Sequence, residues 1–152
     1  KITKIGIAGN SAGGHLAACA ATLFDSPETR PDFQILMYPV ITMEKSYTNL
    51  LSRDALLGKT PSKELVDRYS CEKHVTKDTP PAFIVLCSDD PDVHPVNSLR
   101  YYEQLIANDV SATMHIYPEG GHGWGWRDIM RYKENWVSEM EKWLFTIVLE
   151  AM

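Results

Sequence analysis

Ile5-Gly6-Ile7-Ala8-Gly9-Asn10-Ser11-Ala12-Gly13-Gly14-His15-Leu16 is an apolar run that breaks on glycine and resumes as an alanine- and leucine-rich segment. Residues 2–8 read as a strand and 12–24, which lack an internal proline, as a helix; the join leaves room only for a sharp turn. Gly9-Asn10-Ser11-Ala12-Gly13 satisfies G-x-S-x-G in the strand-to-helix setting that gives the pattern its meaning. Small residues at 9, 12 and 13 let the backbone pass while the Ser11 hydroxyl projects outward. The backbone N–H of Ala12, at a helix N-terminus, then faces any oxyanion forming beside it. The competing reading is a glycine-rich turn in which Ser11 only caps the helix. Phosphate-loop templates do not fit: there is no G-x-x-x-x-G-K-[ST], and the glycines at 6 and 9 do not make G-x-G-x-x-G.

Working outward, residues 33–38 and 82–87 are apolar runs that follow prolines and read as strands buried on both faces; 112–117 makes a fourth strand. Leu99, Tyr102 and Ile106 recur at helical spacing between the last two strands, and Asn108-Asp109 supplies the stop. From Ile129 onward Tyr132, Trp136, Met140, Trp143, Ile147 and Val148 form the stripe of a long amphipathic helix, its tryptophans core anchors. Residues 42–78 are the least regular part and read as an excursion over the top of the sheet, with one helix at 62–69. Strands alternating with helices give an α/β fold: three layers, α/β/α, around a mostly parallel sheet with right-handed crossovers. Ligands in such sheets sit beyond the carboxyl ends of the strands.

At 152 residues and 44% hydrophobic composition, the chain supports one core and is expected to form a single domain over 1–152. A net charge of -5 without a basic block argues against nucleic acid as a partner. An aromatic content of 10% argues against disorder, and no apolar run approaches the roughly 18 residues of a membrane span. Cys19, Cys71 and Cys87 read as separate thiols. With neither H-E-x-x-H nor paired C-x-x-C, no metal is expected, and no motif asks for a cofactor. The start at Lys1 has neither a signal peptide's apolar segment nor a flexible lead-in, so the chain is expected to begin inside a fold, which leaves its compartment open.

The third strand runs into Ser88-Asp89-Asp90-Pro91-Asp92-Val93-His94-Pro95, a carboxylate cluster at a strand end. One of its acids is placed to orient an imidazole, while Asp89 and Asp92 read as turn and cap residues. After the fourth strand comes Glu119-Gly120-Gly121-His122-Gly123-Trp124-Gly125, whose glycines let the loop swing His122 over the sheet. His15, by contrast, lies in the first helix and is read as locally satisfied. Ser11, Asp90 and His122 thus stand in the chain order Ser…Asp…His at the ends of successive parts of one sheet, the order of the α/β-hydrolase fold.

Gly-Asn-Ser-Ala-Gly-Gly-His-Leu at 9–16, Tyr-Pro-Val at 38–40, Asp-Asp-Pro-Asp-Val-His-Pro-Val-Asn-Ser at 89–98 and Gly-Gly-His-Gly-Trp-Gly at 120–125 carry a resemblance over nearly the whole chain. The sequence resembles the acetyl xylan esterase and related carbohydrate esterase branch of the α/β-hydrolases. The resemblance implies that the acid is the first Asp of a D-x-x-V segment, here Asp90, although His94 stands where a proline is more usual. It further implies strands before the nucleophile strand and a His-Gly-Gly-type loop with a second oxyanion donor. The chain is therefore expected to be the C-terminal half of a hydrolase fold and a weak enzyme alone.

The expected activity is hydrolysis of short acyl or acetyl esters, including those on xylan or related sugars. Ser11 would be the nucleophile, His122 the base and Asp90 its orienting acid. Trp124, Tyr38 and Pro39 are candidates to line the acyl pocket, with packing the stronger role for Tyr38 and Pro39. Two alternatives stand: a serine peptidase of the prolyl-oligopeptidase type, and a non-catalytic hydrolase-like half that binds a partner chain. The strand at 2–8 is expected at a sheet edge, where it invites self-association.

Overall fold

A computed structural model describes residues 2–149, with side chains described through Ile147; the Val148 side chain, placed on the helical stripe above, lies outside the described residues. The elements follow in the order β1 (Ile7–Asn10), α1 (Ala12–Thr22), β2 (Gln34–Met37), α2 (Leu50–Leu57), α3 (Lys63–Tyr69), a 3-10 turn (Cys71–His74), β3 (Ala82–Cys87), α4 (Val96–Ala107), β4 (Ala112–Tyr117) and α5 (Lys133–Leu149). All neighbouring strands pair in parallel in the order β1-β2-β3-β4.

Every residue of β2 and β3 is buried, which accounts for apolar runs without polar alternation. Register shows how the layers form. Gln34 pairs with Ala82 and Ile35 with Phe83, and paired residues share a face while successive ones alternate. The Tyr101 hydroxyl of α4 donates to Gln34 Oε1 at 2.9 Å, whereas Trp143 of α5 packs on Phe83 with ring centroids 5.7 Å apart. Thus α4 covers one face, α5 covers the other, and the sheet is the middle layer of an α/β/α sandwich. The 3-10 turn touches both α1 and α4.

Four expectations about elements need correcting. β1 begins at Ile7, not at residue 2, and Ile2 and Ile5 lie exposed before it; β1 does form the sheet's end strand. β2 stops at Met37 because Tyr38 adopts a positive φ of 36°, incompatible with extended pairing. The buried face of α4 is Asn97, Ser98, Tyr101 and Leu105; Leu99 and Ile106 of the anticipated stripe point to solvent. The terminal helix starts at Lys133, since 126–132 form turns closed by Arg127 N–H to Trp124 O and Lys133 N–H to Met130 O. Its stripe is otherwise as read: Trp136, Met140 and Ile147 are buried.

Residues 42–78 hold α3, which starts at Lys63 with Ser62 as its cap and not as its first residue, and also α2, which the periodicity did not reveal. Leucines at 50, 51, 56 and 57 surround α2 without a polar face, and its N-terminus is set by Asn49 Oδ1 accepting from Ser52 N–H at 2.9 Å.

Candidate active site

Ser11 sits between β1 and α1 with φ 54° and ψ -122°, a conformation that a non-glycine residue holds only where its surroundings enforce it. The enforcement is local and named. Ser11 N–H donates to Met37 O and Ser11 O accepts from Val40 N–H, both at 3.0 Å, so the exit of β2 clamps the elbow on both sides.

The glycines around Ser11 are not equivalent. A Cβ on Gly9 would lie 2.1 Å from Gly13 O, and one on Gly14 would lie 2.7 Å from Pro39 Cβ, whereas one on Gly13 would meet nothing closer than Asn10 Oδ1 at 3.8 Å. Close approach therefore demands glycine at 9 and 14, not at 9 and 13 as the motif suggested. Pro39 is buried against this elbow and is a wall of the backbone turn.

His122 reaches Ser11 from the loop after β4, with Nε2 2.8 Å from Ser11 Oγ. Its Nδ1 lies 2.7 Å from Asp90 Oδ2. A carboxylate can only accept, so the ring proton of that pair belongs on Nδ1, which leaves Nε2 of the neutral ring to accept from the Ser11 hydroxyl. The other Asp90 oxygen, Oδ1, accepts the backbone N–H groups of Asp92 and Val93 at 2.9 Å each, fixing the carboxylate beyond the end of β3. Asp90, Asp92 and His122 offer ligand atoms within 4.8 Å of one another, but both Asp90 oxygens are already engaged in these bonds.

Asp89 does more than turn the chain. Its two oxygens accept from Gly120 N–H at 3.2 Å and Gly121 N–H at 2.8 Å, tying the acid loop to the histidine loop. These amide bonds, that from Gly121 foremost, hold its carboxyl below the usual carboxylate range. Gly120, at φ 148°, has no space for a side chain because Cys87 Sγ would lie 2.6 Å from its Cβ.

Tyr38 is buried beneath the histidine. Its ring meets that of His122 edge-on at 4.6 Å, and its hydroxyl accepts from Gly125 N–H at 2.8 Å and Asn10 Nδ2 at 3.0 Å. One phenol thus holds the elbow and the histidine loop together. Trp124 is 1% exposed and packs between Tyr38 and Trp136, a core position.

The open apolar space lies elsewhere. A cavity of about 590 Å³ begins at Ala12 and is walled by Leu16, Met43, Leu51, Leu56 and Tyr69. Ala12 is the first residue of α1, where backbone amides lack an acceptor four residues back. The sequence carried no mark of this cavity, because its walls come from α1, α2, the end of α3 and the loop that holds Met43. The Asp89 link had one faint mark, paired glycine amides in need of an acceptor.

Residues 1–149 match the prolyl oligopeptidase family. An acetylxylan esterase of Xylanibacter ruminicola is 37% identical over 148 residues, which is 94% of this chain and 30% of that protein. An endo-1,4-beta-xylanase B of Butyrivibrio fibrisolvens is 37% identical over 130 residues, 79% of this chain and 20% of that one. The crystal structure of an acetyl ester-xyloside bifunctional hydrolase from Caldicellulosiruptor lactoaceticus superposes with a TM-score of 0.87 at 37% identity, covering 93% of this chain and 56% of that one. The chain therefore spans a third or less of these curated relatives and about half of the solved one.

Proposed function

The chain belongs to the prolyl oligopeptidase family, and from that premise we propose that it carries the catalytic centre of a serine hydrolase acting on carboxylic esters, acetyl groups on xylan or related sugars foremost. The observation that carries this reading is the unbroken hydrogen-bond chain Ser11 Oγ–His122 Nε2, His122 Nδ1–Asp90 Oδ2.

In this reading Ser11 Oγ attacks the acyl carbonyl carbon as its proton passes to His122 Nε2. The imidazolium so formed is stabilised by Asp90, which cannot turn away because Oδ1 is held by two amides. The carbonyl oxygen, now negative, lies toward the Ala12 N–H at the start of α1. His122 gives the proton to the departing sugar oxygen, then takes one from the water that attacks the acyl-enzyme, and returns it to Ser11 Oγ as the Oγ–acyl bond breaks and the acid leaves. The apolar cavity beside Ala12 suits the acyl side of a neutral ester. Preference for acetylated sugars rests on the similarity to the Xylanibacter acetylxylan esterase.

A second reading, cleavage of prolyl peptides, is favoured by the family's namesake activity. Labelling by a fluorophosphonate, mapped to Ser11 and lost in Ser11→Ala, tests the centre itself; turnover of acetylated xylo-oligosaccharides against prolyl peptides separates the substrates. An unlabelled chain would favour a non-catalytic binding role. A second oxyanion donor is expected from a His-Gly-Gly-type loop, and the lack of one donor lowers turnover by about 10²–10³-fold. Comparing this chain with a longer version that includes such a loop measures that contribution.

A further inference from the structure

One helical face away from Ser11, the site chemistry leaves a second group of reactive side chains unused. Cys19 Sγ lies 3.5 Å from Cys71 Sγ and 3.8 Å from His15 Nδ1. The two cysteines stand on different elements, α1 and the 3-10 turn, and are 52 positions apart in the chain. Their sulfurs nonetheless face each other in van der Waals contact inside the fold. His15 meets Cys19 within its own helix, as its position suggested, and its Nε2–H also donates to Tyr69 O at 2.7 Å, which anchors the ring beside the thiols and leaves Nδ1 to face Cys19. Cys71 is buried, whereas Cys19 is partly exposed and lines the apolar cavity together with His15, Met43 and Tyr69. A small reagent entering the cavity therefore meets Cys19 first, with Cys71 directly behind it.

We propose that Cys19 and Cys71 form an oxidisable dithiol, in which Cys19 is the thiol attacked through the cavity, Cys71 is the resolving thiol and His15 handles the proton; the oxidant is a hydroperoxide such as hydrogen peroxide.

In the first step the Cys19 thiolate, its proton resting on His15, attacks one peroxide oxygen. The O–O bond breaks, sulfur is oxidised to the sulfenic acid, and the departing hydroxide takes the proton from His15 to leave as water. In the second step Cys71 sulfur attacks Cys19 sulfur, the S–O bond breaks, and the hydroxide leaves as a second water with the Cys71 proton, relayed by His15. Two thiols lose two electrons in all, and one peroxide is reduced to two waters.

The environments of the thiols fit these roles. The hydrogen bond from Cys71 and the neighbouring His15 hold the Cys19 thiol below the ordinary thiol range against the opposing effect of burial. The same hydrogen bond and burial push the Cys71 thiol up. Cys87 is a natural control: it is buried beside Asp89, and burial first, then that carboxylate, push its thiol up to about 11.

The test treats the reduced 152-residue chain with a small molar excess of hydrogen peroxide. Titration after denaturation is expected to find one thiol of the original three. The intact mass should fall by two hydrogen atoms, and peptide mapping should join Cys19 to Cys71. Cys87→Ser is expected to form the same link. Cys71→Ser is expected to stop at the Cys19 sulfenic acid, trapped as its dimedone adduct. A link that includes Cys87 would overturn the assignment. So would survival of all three thiols at peroxide levels that oxidise a free small thiol, or oxidation of Cys19 to the sulfinic acid while Cys71 stays reduced.

Discussion

At the residue scale, a hydrogen bond's role depends on which partner can be removed without collapsing the site. Ser11→Ala leaves the elbow backbone intact, because its clamps to Met37 and Val40 are backbone bonds. The expected outcome is an unchanged melting temperature with ester turnover lowered on the order of 10⁴-fold or more; a variant that retains turnover refutes the nucleophile assignment. Tyr38→Phe keeps the ring against His122 but leaves Gly125 N–H and Asn10 Nδ2 without their shared acceptor. It should lower stability by about 1–3 kcal/mol in denaturant unfolding and reduce kcat more than KM. For Asp89 the sign follows from its lowered native pKa: its contribution to stability is present above the ordinary value of 3.8 and is lost as pH falls through the lower native value. Asp89→Asn should therefore flatten the fall in melting temperature between the neutral range and acid. Wild-type and variant curves of identical shape would show that the bonds to Gly120 and Gly121 do not couple to protonation.

At the element scale, the elbow tests whether a motif's glycines serve one purpose. Gly13 lies in the first turn of α1 with free space where a Cβ would go, and alanine favours helix over glycine by about 1 kcal/mol. Gly13→Ala is accordingly expected to preserve fold and activity and to raise the melting temperature slightly. Gly14→Ala forces a Cβ to within 2.9 Å of the Pro39 backbone, on the buried side where β2 leaves the sheet. It should destabilise the chain and impair the site together, as α1 is pushed off its clamp. Circular dichroism melts of the pair decide the matter, and equal melting temperatures would show that the Pro39 contact yields without strain.

At the scale of the whole molecule, β1 closes one side of the sheet without a further partner among the described residues, and Ile2 and Ile5 beside it are exposed. An open parallel edge flanked by apolar side chains is a template for pairing with another chain. The isolated chain is therefore expected to self-associate as concentration rises. Sedimentation equilibrium checks this, and a clean monomer across the accessible concentration range would count against it.

Local chemistry makes much of this legible in the sequence alone. The fully apolar run at β3 is legible with its observed bounds because a strand buried on both faces needs no partner's help to be recognised, and the half-buried β4 keeps the bounds that its sequence predicts. Ser11, Asp90 and His122 stood out because tight turns restrict which residues fit at strand ends, and small or acidic residues there are conspicuous. The face of α4 was misjudged because apolar residues at 99 and 106 mimic a core stripe, while the burial of Asn97 and Ser98 depends on what they meet: Asn97 Oδ1 caps the Ile41 and Thr42 amides at 3.0 Å. Asp89 bridging to Gly120, Tyr38 joining Asn10 to Gly125, and Cys19 facing Cys71 are contacts across 31, 28, 87 and 52 positions. Periodicity and propensity describe neighbours along the chain, whereas these pairs exist only once the parallel sheet gathers distant loops at its end and packs α1 against the 3-10 turn.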